Sequence, residues 1–593
     1  MTNSAESFAA RCTEAAERFL QTVVVIDNEA EFDDSREPES PRIAQKARTG
    51  LLAPTTIGSS VVPGELLADP PDGISVPSET AAVDRPTAAP GPLAKPAVSA
   101  GPGGVAVVAA TEPIDSAASH RLGAKTLTDA FGDHRVLCTV YKPRPGEQMV
   151  ERAAKIASHA DIVVVDWYLE RGSSAIAKEI ISDILRTDAA RMGRLRLIAI
   201  YTAQSGMAGL AGDLREYLET RDLHFEHADD GVLSASGVRI IFLQKAGSGT
   251  HRPAGSVAEQ ELPLRLIEEF AKLSAGILSM VALQSIAAIR EGSHHILSTF
   301  HPELDAAFVL HRFLLPYPAD AESFAVSLIS AEMASLLDAD DVGRYAGIDV
   351  KKDWIAAHQP RTEGFPIGTE FISVEELYAR LEQGDMAVPK RKYDVLAEVL
   401  YGNAETARDF CLELARISCL KREAYSCRSV APSRPPMLCL GTIMRLLPNE
   451  KDEYLRRLGP DTFLLCTQPA CDSVRIRGER PYPFQRLTKA DDCFNVVVRL
   501  RDQTNATLRV KGIPHLTEMF TFRSASAQQD FVLARAADGC FVFTDVEGNR
   551  FEWLADLNDF TAQWAMAQLG TRVNTPGLDQ FEWLRRKGPK GQG

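Results

Sequence analysis

The chain has 593 residues, of which 45% are hydrophobic and 24% are charged, and its formal net charge is −15. This length exceeds the usual size of one hydrophobic core, so we expect about two to four domains. The composition excludes a fibrous or wholly disordered protein. The negative charge disfavours nucleic acid as a partner. Ten cysteines are scattered along the chain, which is typical of reduced thiols in a cytoplasm. The N-terminus does not resemble a signal peptide, and no apolar run approaches the roughly 20 residues that cross a bilayer, so we expect a cytoplasmic protein without membrane contact.

The N-terminal region begins with a predicted helix. Residues 4–21 repeat apolar positions at helical spacing, and they lead into the apolar run 23–26. From about residue 30 to residue 112 the composition shifts to Pro, Ala, Gly, Ser and Thr without periodicity. We interpret this stretch as a disordered insertion.

Apolar runs then alternate with amphipathic helical windows. Together with 23–26, the runs 136–140, 161–166, 196–202 and 238–244 predict a five-stranded parallel α/β sheet. The region after this sheet is rich in Leu, Ala, Ile and Glu, and short β-branched or aromatic runs dominate from about residue 435. The predicted order is therefore an α/β domain, a mainly helical domain, a small antiparallel β barrel or sandwich, and a tail, over residues 1–255, 256–430, 431–575 and 576–593.

The ends of the predicted parallel strands carry the side chains with chemical potential. The first strand ends in Asp27-Asn28-Glu29, the third in Asp166, the fourth in Thr202 and the fifth in Lys245. In an open parallel sheet these carboxyl ends converge on one edge. Carboxylates there can hold Mg²⁺, while a Lys ammonium and a Thr hydroxyl can stabilise a transferred phosphoryl group.

This ordered set resembles the response-regulator receiver family, through the runs VVVIDNE, DIVVVDWYLE, LIAIYTA and IIFLQK. The resemblance implies a flavodoxin-like, doubly wound fold and a bacterial two-component signalling protein rather than a dedicated enzyme. Asp166 would accept the phosphoryl group, with Thr202 as the switch hydroxyl and Lys245 as the phosphate contact. Mg²⁺ would be the cofactor, and a histidine kinase or phosphotransfer protein the partner, with a homo-oligomer left open. The implied metal ligands are Asp27, Glu29, Asp166 and the backbone carbonyl of Trp167.

Three features depart from the family pattern. Asn28 stands where a second metal-site acid is usual, which removes a charge unless Glu29 compensates. Ala246-Gly247 follows Lys245 in place of the usual proline, and the insertion after the first strand is unusually long. These departures keep open a pseudo-receiver, a scaffold that no longer takes phosphate.

Two further patterns outside the receiver leave alternatives open. The region 273–315 is similar to divergent receivers of bacterial defence loci, which suggests an antiviral setting. Within it, Arg290 and His295 have the Arg-x4-His spacing of one class of ribonucleases, so a nuclease effector is an alternative. The loop after Cys466, with Cys471 and Asp472, lacks zinc-site spacing but could line a pocket.

Overall fold

The structure is a computed structural model that describes most of the chain outside the long insertion. The described residues are 2–32, 122–144, 148–170, 172–191, 193–227, 231–246, 255–315, 320–359, 364–367, 370–383, 390–425, 435–448, 453, 458–459, 461–474, 476–524 and 530–573. The remainder of the predicted insertion beyond Phe32 and the tail 576–593 lie outside them.

Five parallel strands form the centre of the first sheet. In spatial order they are β4 (Leu137–Tyr141), β1 (Thr22–Ile26), β5 (Ile162–Val165), β6 (Arg196–Thr202) and β9 (Val238–Gln244). In chain sequence this order is 2-1-3-4-5, the flavodoxin-like arrangement, in which the direction of winding reverses between β1 and β5. The predicted parallel α/β sheet is confirmed.

The predicted count of five strands is too low for the whole sheet. Two short strands, β7 (Glu226–His227) and β8 (Leu233–Ala235), add antiparallel to β9 and give seven strands. They are two and three residues long, so they leave little periodic signal in the sequence. A separate pair, β2 (Ala30–Glu31) and β3 (Leu122–Gly123), joins the two ends of the long insertion, so the first two residues of the predicted disordered stretch are a strand.

Helices cover both faces of the parallel sheet. On one face lie α1 (Thr2–Phe19), α2 (Ala124–Asp133) and α6 (Leu262–Leu273), and on the other α3 (Met149–Ala157), α4 (Ala175–Ala190) and α5 (Met207–Glu219). Alternate strand residues point to the two sides, so Val23 and Val25 join one cluster while Val24 and Ile26 join the other. The fold is therefore doubly wound.

A mainly helical region follows α6. Its helices are α7 (Ile277–Glu291), α8 (Ser293–Thr299), α9 (Asp305–Leu314), α10 (Asp320–Ala339), α11 (Ile348–His358), α12 (Val374–Gln383), α13 (Lys390–Tyr401) and α14 (Ala404–Cys419). One hairpin, β10 (Gly364–Ile367) with β11 (Glu370–Ser373), interrupts them. The apolar window after residue 259 is two helices, α6 and α7, that are separated at 274–276.

The C-terminal strands form one ten-stranded antiparallel sheet. They are β12 (Leu420–Glu423), β13 (Thr442–Leu446), β14 (Phe463–Cys466), β15 (Glu479–Lys489), β16 (Val496–Arg499), β17 (Asn505–Arg509), β18 (Thr517–Arg523), β19 (Arg535–Ala537), β20 (Cys540–Thr544) and β21 (Arg550–Leu557). The sheet is accompanied by α15 (Ala470–Ser473) and α16 (Asp559–Val573). Consecutive residues such as Phe463 and Leu464 enter different clusters, so both faces are buried. The antiparallel character is confirmed.

All described residues except Phe32 belong to one compact unit, which comprises Met1–Glu31 and His120–Gly593. The predicted domain boundaries at 255, 430 and 575 therefore stay predictions. None of the described helices is long and apolar enough to span a bilayer.

Candidate functional site

The carboxyl ends of the parallel strands bring four of the predicted residues to one edge. Asp27 follows β1 and Asp166 follows β5, on the two strands between which the winding reverses. The backbone N–H of Asp166 donates to the Ile26 carbonyl at 2.9 Å, and that of Lys245 donates to the Thr202 carbonyl at 2.8 Å. These bonds align the ends of neighbouring strands, and the side chains of Asp27, Asp166 and Lys245 meet at the reversal point.

An ionic cluster of two carboxylates and one ammonium occupies this edge. Lys245 Nζ lies 2.6 Å from Asp27 Oδ2 and 3.1 Å from Asp166 Oδ1. Asp27 and Lys245 are buried, and the side chain of Asp166 is 12% exposed. Two negative groups thus share one positive group, so the cluster has a net negative charge that favours a further cation.

Burial and charge act in opposite directions on the cluster. Burial raises the pKa of Asp166, and Asp27 raises it further, while Lys245 lowers it; the net direction is upward. Burial opposes the charge of Lys245, but the attraction of Asp27 and Asp166 outweighs it and raises the pKa of the ammonium. Lys245 is therefore charged. The negative charge of Asp166 is disfavoured by burial, and a cation beside the carboxylate would stabilise it.

Backbone donors orient the second oxygen of each carboxylate. Asp27 Oδ1 accepts from the Glu29 N–H at 2.7 Å, and Asp166 Oδ2 accepts from the Tyr168 N–H at 3.0 Å. Each bond spans two residues and closes a small turn directly after a strand. Both carboxylates are thereby held in place by the chain that carries them.

The other predicted residues differ in their position. Thr202 is buried at the end of β6, where its Oγ1 accepts from the Gln204 N–H at 3.5 Å. Trp167 is buried directly after Asp166, with its ring packed edge-on against Phe242. The side chain of Glu29 is exposed, and Glu29 contacts the cluster through its backbone N–H, which donates to Asp27.

The oxygen donors of this edge fit Mg²⁺. Among the described residues no group of three or more His, Cys, Asp or Glu side chains surrounds a metal position. Mg²⁺ commonly takes one or two carboxylates and completes its shell with other oxygens and water, and Asp27 and Asp166 supply the carboxylates. The Oδ1 atom of Asn28 is buried and has no hydrogen-bond partner within the described part of the chain, so it is a further oxygen available to a cation.

Two residues that sequence reasoning missed lie beside the cluster. Glu259 accepts a hydrogen bond from the Gly123 N–H at 3.0 Å, and burial raises its pKa while Lys245 acts to lower it. The ring of Tyr201 lies 5.6 Å from Lys245 Nζ, and its hydroxyl donates to the Val257 carbonyl at 2.8 Å. Glu259 belongs to no strand-end motif, and the chain that returns after Lys245 brings it here. Tyr201 directly precedes Thr202 in the run LIAIYTA, but the rule for strand ends selects the last residue of that run and not the one before it.

The residues of the nuclease alternative have separate partners. Arg290 donates to the Phe19 carbonyl at 2.9 Å and covers the Phe19 ring, whereas His295 lies 2.8 Å from Glu332. Arg290 thus ties α7 to the end of α1. These contacts account for both side chains without a substrate.

Polar side chains in the loop after β14 form hydrogen bonds to nearby backbone carbonyls. Cys466 is fully buried, and burial raises the pKa of its thiol, while Cys471 is exposed. The Thr467 hydroxyl donates to the Pro483 carbonyl at 3.1 Å, and the Gln468 amide donates to the Asp472 carbonyl at 3.3 Å. The polar residues of this loop therefore stabilise its conformation.

The strand order and the Asp27–Lys245–Asp166 cluster together define a receiver-type α/β domain. The family model described as "Response receiver domain" matches residues 19–250, so this chain carries a divergent response-regulator receiver domain. That span includes all four strand-end positions. No curated protein and no solved structure matches the chain.

Proposed function

We propose that the chain is a phosphoryl-accepting signalling protein in which Asp166 takes the phosphoryl group. The observation that supports this role is the shared ion pair of Lys245 with Asp27 and Asp166 at the reversal point of the sheet. The receiver domain supports a response-regulator-like signalling role. Phosphorylation of Asp166 by a histidine kinase or phosphotransfer protein is the specific form that we propose.

The chemistry follows from the positions of the side chains. A carboxylate oxygen of Asp166 attacks phosphorus, a new P–O bond forms, and the bond from phosphorus to the donor breaks, leaving the electron pair on the donor. Lys245 already lies within 3.1 Å of Asp166, so its ammonium can remain beside the phosphoryl oxygens as their charge develops. Thr202, on the neighbouring strand, would supply a hydroxyl after a small movement.

Asp27, Asp166 and the side-chain oxygen of Asn28 would hold Mg²⁺, and Glu29 and the backbone carbonyl of Trp167 stay predicted ligands. When bound, this ion would screen the negative charge of the incoming group. Asn28 in place of an acid lowers the negative charge of the site, so we expect Mg²⁺ to bind less tightly than it would to three carboxylates. An Asn28→Asp variant should consequently need less Mg²⁺ for the same extent of labelling.

Intact-mass measurement after treatment with acetyl phosphate and Mg²⁺ tests the proposal. We expect one added phosphoryl group on the wild-type chain and none on Asp166→Asn, which retains the size of the side chain. Asp183→Asn, at an exposed position of α4, is the matched control and should be labelled like the wild type. Lack of labelling in the wild type would contradict the proposal and favour the pseudo-receiver.

The biological setting needs a separate test. We propose the antiviral role that the defence-locus resemblance suggests as a secondary element of the function. Bacterial cells that carry the wild-type chain would be challenged with phage beside cells that carry Asp166→Asn. If cells with the wild-type chain and cells with Asp166→Asn survived equally well, a defence role would not depend on phosphorylation of Asp166.

A further inference from the structure

Helices α9 and α10 present an apolar surface that the described chain leaves uncovered. None of the ten residues of α9 is buried, and Ala321 is the buried residue of α10. A helix of a globular protein normally buries one stripe of apolar side chains. Here the apolar side chains face outward, and we refer to the exposed ones on α9 and α10 as the α9–α10 patch.

The patch combines a ridge and a groove. The ridge lies on one side of α9 and consists of Val309, Leu310, Phe313 and Leu314, with Phe313 78% and Leu314 74% exposed. The groove lies between α9 and α10, encloses about 450 Å³, and has Leu304, Phe308, Phe324 and Leu328 in its walls. The spacing of the ridge residues places them on a different side of the helix from Leu304 and Phe308.

The size of the patch exceeds what an isolated monomer usually exposes. With roughly 150–200 Å² for each fully exposed large apolar residue, the exposed fractions of the apolar side chains of α9 and α10 sum to about 650–900 Å². The largest apolar patch of a typical monomer covers only about 300–600 Å². One partner of a stable interface contributes about 800 Å², so the patch is large enough for such an interface.

We propose that the α9–α10 patch is the interface of a homodimer of this chain. A two-fold axis requires a surface that complements itself, and the ridge of one copy can enter the groove of the other twice. The side chains of the patch are apolar, and the neighbouring Arg312 is paired with Glu322, so the patch offers no charged group to a strongly charged partner. The interface is joined to the receiver because Asp340, directly after α10, accepts from Arg18 of α1 at 2.9 Å.

Sedimentation of the full-length chain over a range of concentrations tests the proposal. We expect the wild type to sediment with twice the mass of one chain, and Phe313→Glu to sediment as a monomer. In a two-fold dimer the Phe313→Glu substitution would bury one carboxylate from each copy in the interface, so the dissociation constant should rise at least about 100-fold. Leu328→Glu, at a 38% exposed position of α10 in the wall of the groove, should weaken the dimer as well.

Phe560→Glu is the matched control, because Phe560 is 81% exposed but lies on α16. It should remain dimeric, and circular dichroism should show an unchanged helix content in all three variants. A wild-type monomer at every concentration would overturn the proposal, whatever other molecule covers the patch. A dimer that persists unchanged in both Phe313→Glu and Leu328→Glu would overturn it too.

Discussion

At the residue scale, Lys245 is the centre of the candidate site because it balances two buried carboxylates. In Lys245→Met, Asp27 and Asp166 would face each other without a cation, and we expect the free energy of unfolding to fall by about 3 kcal/mol. Urea unfolding without Mg²⁺ measures this loss. Added Mg²⁺ should restore more stability to the variant than to the wild type, because the ion would replace the missing positive charge.

Lys125→Met is the control for that comparison. Lys125 pairs with Asp129 on an exposed helix face, where an ion pair contributes at most about 1 kcal/mol. If the free energy of unfolding fell equally little in both variants, the charge of Lys245 would not be needed to stabilise the buried carboxylates of Asp27 and Asp166.

The sequence predicts the members of this site unequally. Asp27, Asp166, Thr202 and Lys245 follow apolar runs, so the rule for parallel strand ends was sufficient to find them. Glu259 could not be found in this way, because its partner, the Gly123 N–H, is 136 positions away along the chain. That Asn28 Oδ1 is buried without a hydrogen-bond partner among the described residues is likewise a property of packing that no spacing of residues reveals.

At the scale of elements, Glu269 joins α6 to β9, the strand that directly precedes Lys245. Its buried carboxylate accepts from Arg239 of β9 at 3.0 Å and from Lys272 at 2.7 Å. Burial opposes its charge, but these two hydrogen bonds outweigh burial and lower the pKa of Glu269 below its usual 4.5. A single side chain thus fixes the helix that follows the receiver strands to the last of those strands.

The lowered pKa makes the contribution of Glu269 dependent on pH. A carboxylate whose folded pKa is depressed stabilises the protein above its unfolded pKa, and this stability is lost as the pH falls through the folded pKa. The free energy of unfolding of Glu269→Gln should therefore be about 2 kcal/mol lower than that of the wild type at neutral pH, and the difference should narrow as the pH falls below 4.5 and through the lower folded pKa.

Denaturant unfolding at a series of pH values checks this prediction. Glu268→Gln is the control, because Glu268 is 46% exposed and its recorded ion pair with Arg265 spans 4.0 Å. Its stability should follow the wild type at every pH. A gap between Glu269→Gln and the wild type that stayed constant down to pH 3 would show that protonation of Glu269 is not linked to folding.

At the scale of the whole molecule, the receiver shares its core with elements before and after it. The cluster on one face of the parallel sheet contains Tyr201 and Leu243 of the strands together with Phe8 of α1, Phe270 of α6 and Val350 of α11. The sequence predicted the strands and most helices from their periodicity. It placed α1 in the α/β domain, but it did not predict that α11 packs on this core, because contacts between distant helices leave no local pattern.

This shared core predicts that residues 19–250 cannot fold alone, although they are the span that resembles the receiver family. Without α1 and α6, one face of the sheet would expose buried side chains such as Leu197, Tyr201 and Leu243 to water. We expect this fragment to aggregate or to unfold without a cooperative transition. The fragment 1–402 keeps the helices that cover that face and should unfold cooperatively. Thermal unfolding followed by circular dichroism compares the two, and a cooperative transition in 19–250 would mean that α1 and α6 rest on a sheet that is already stable.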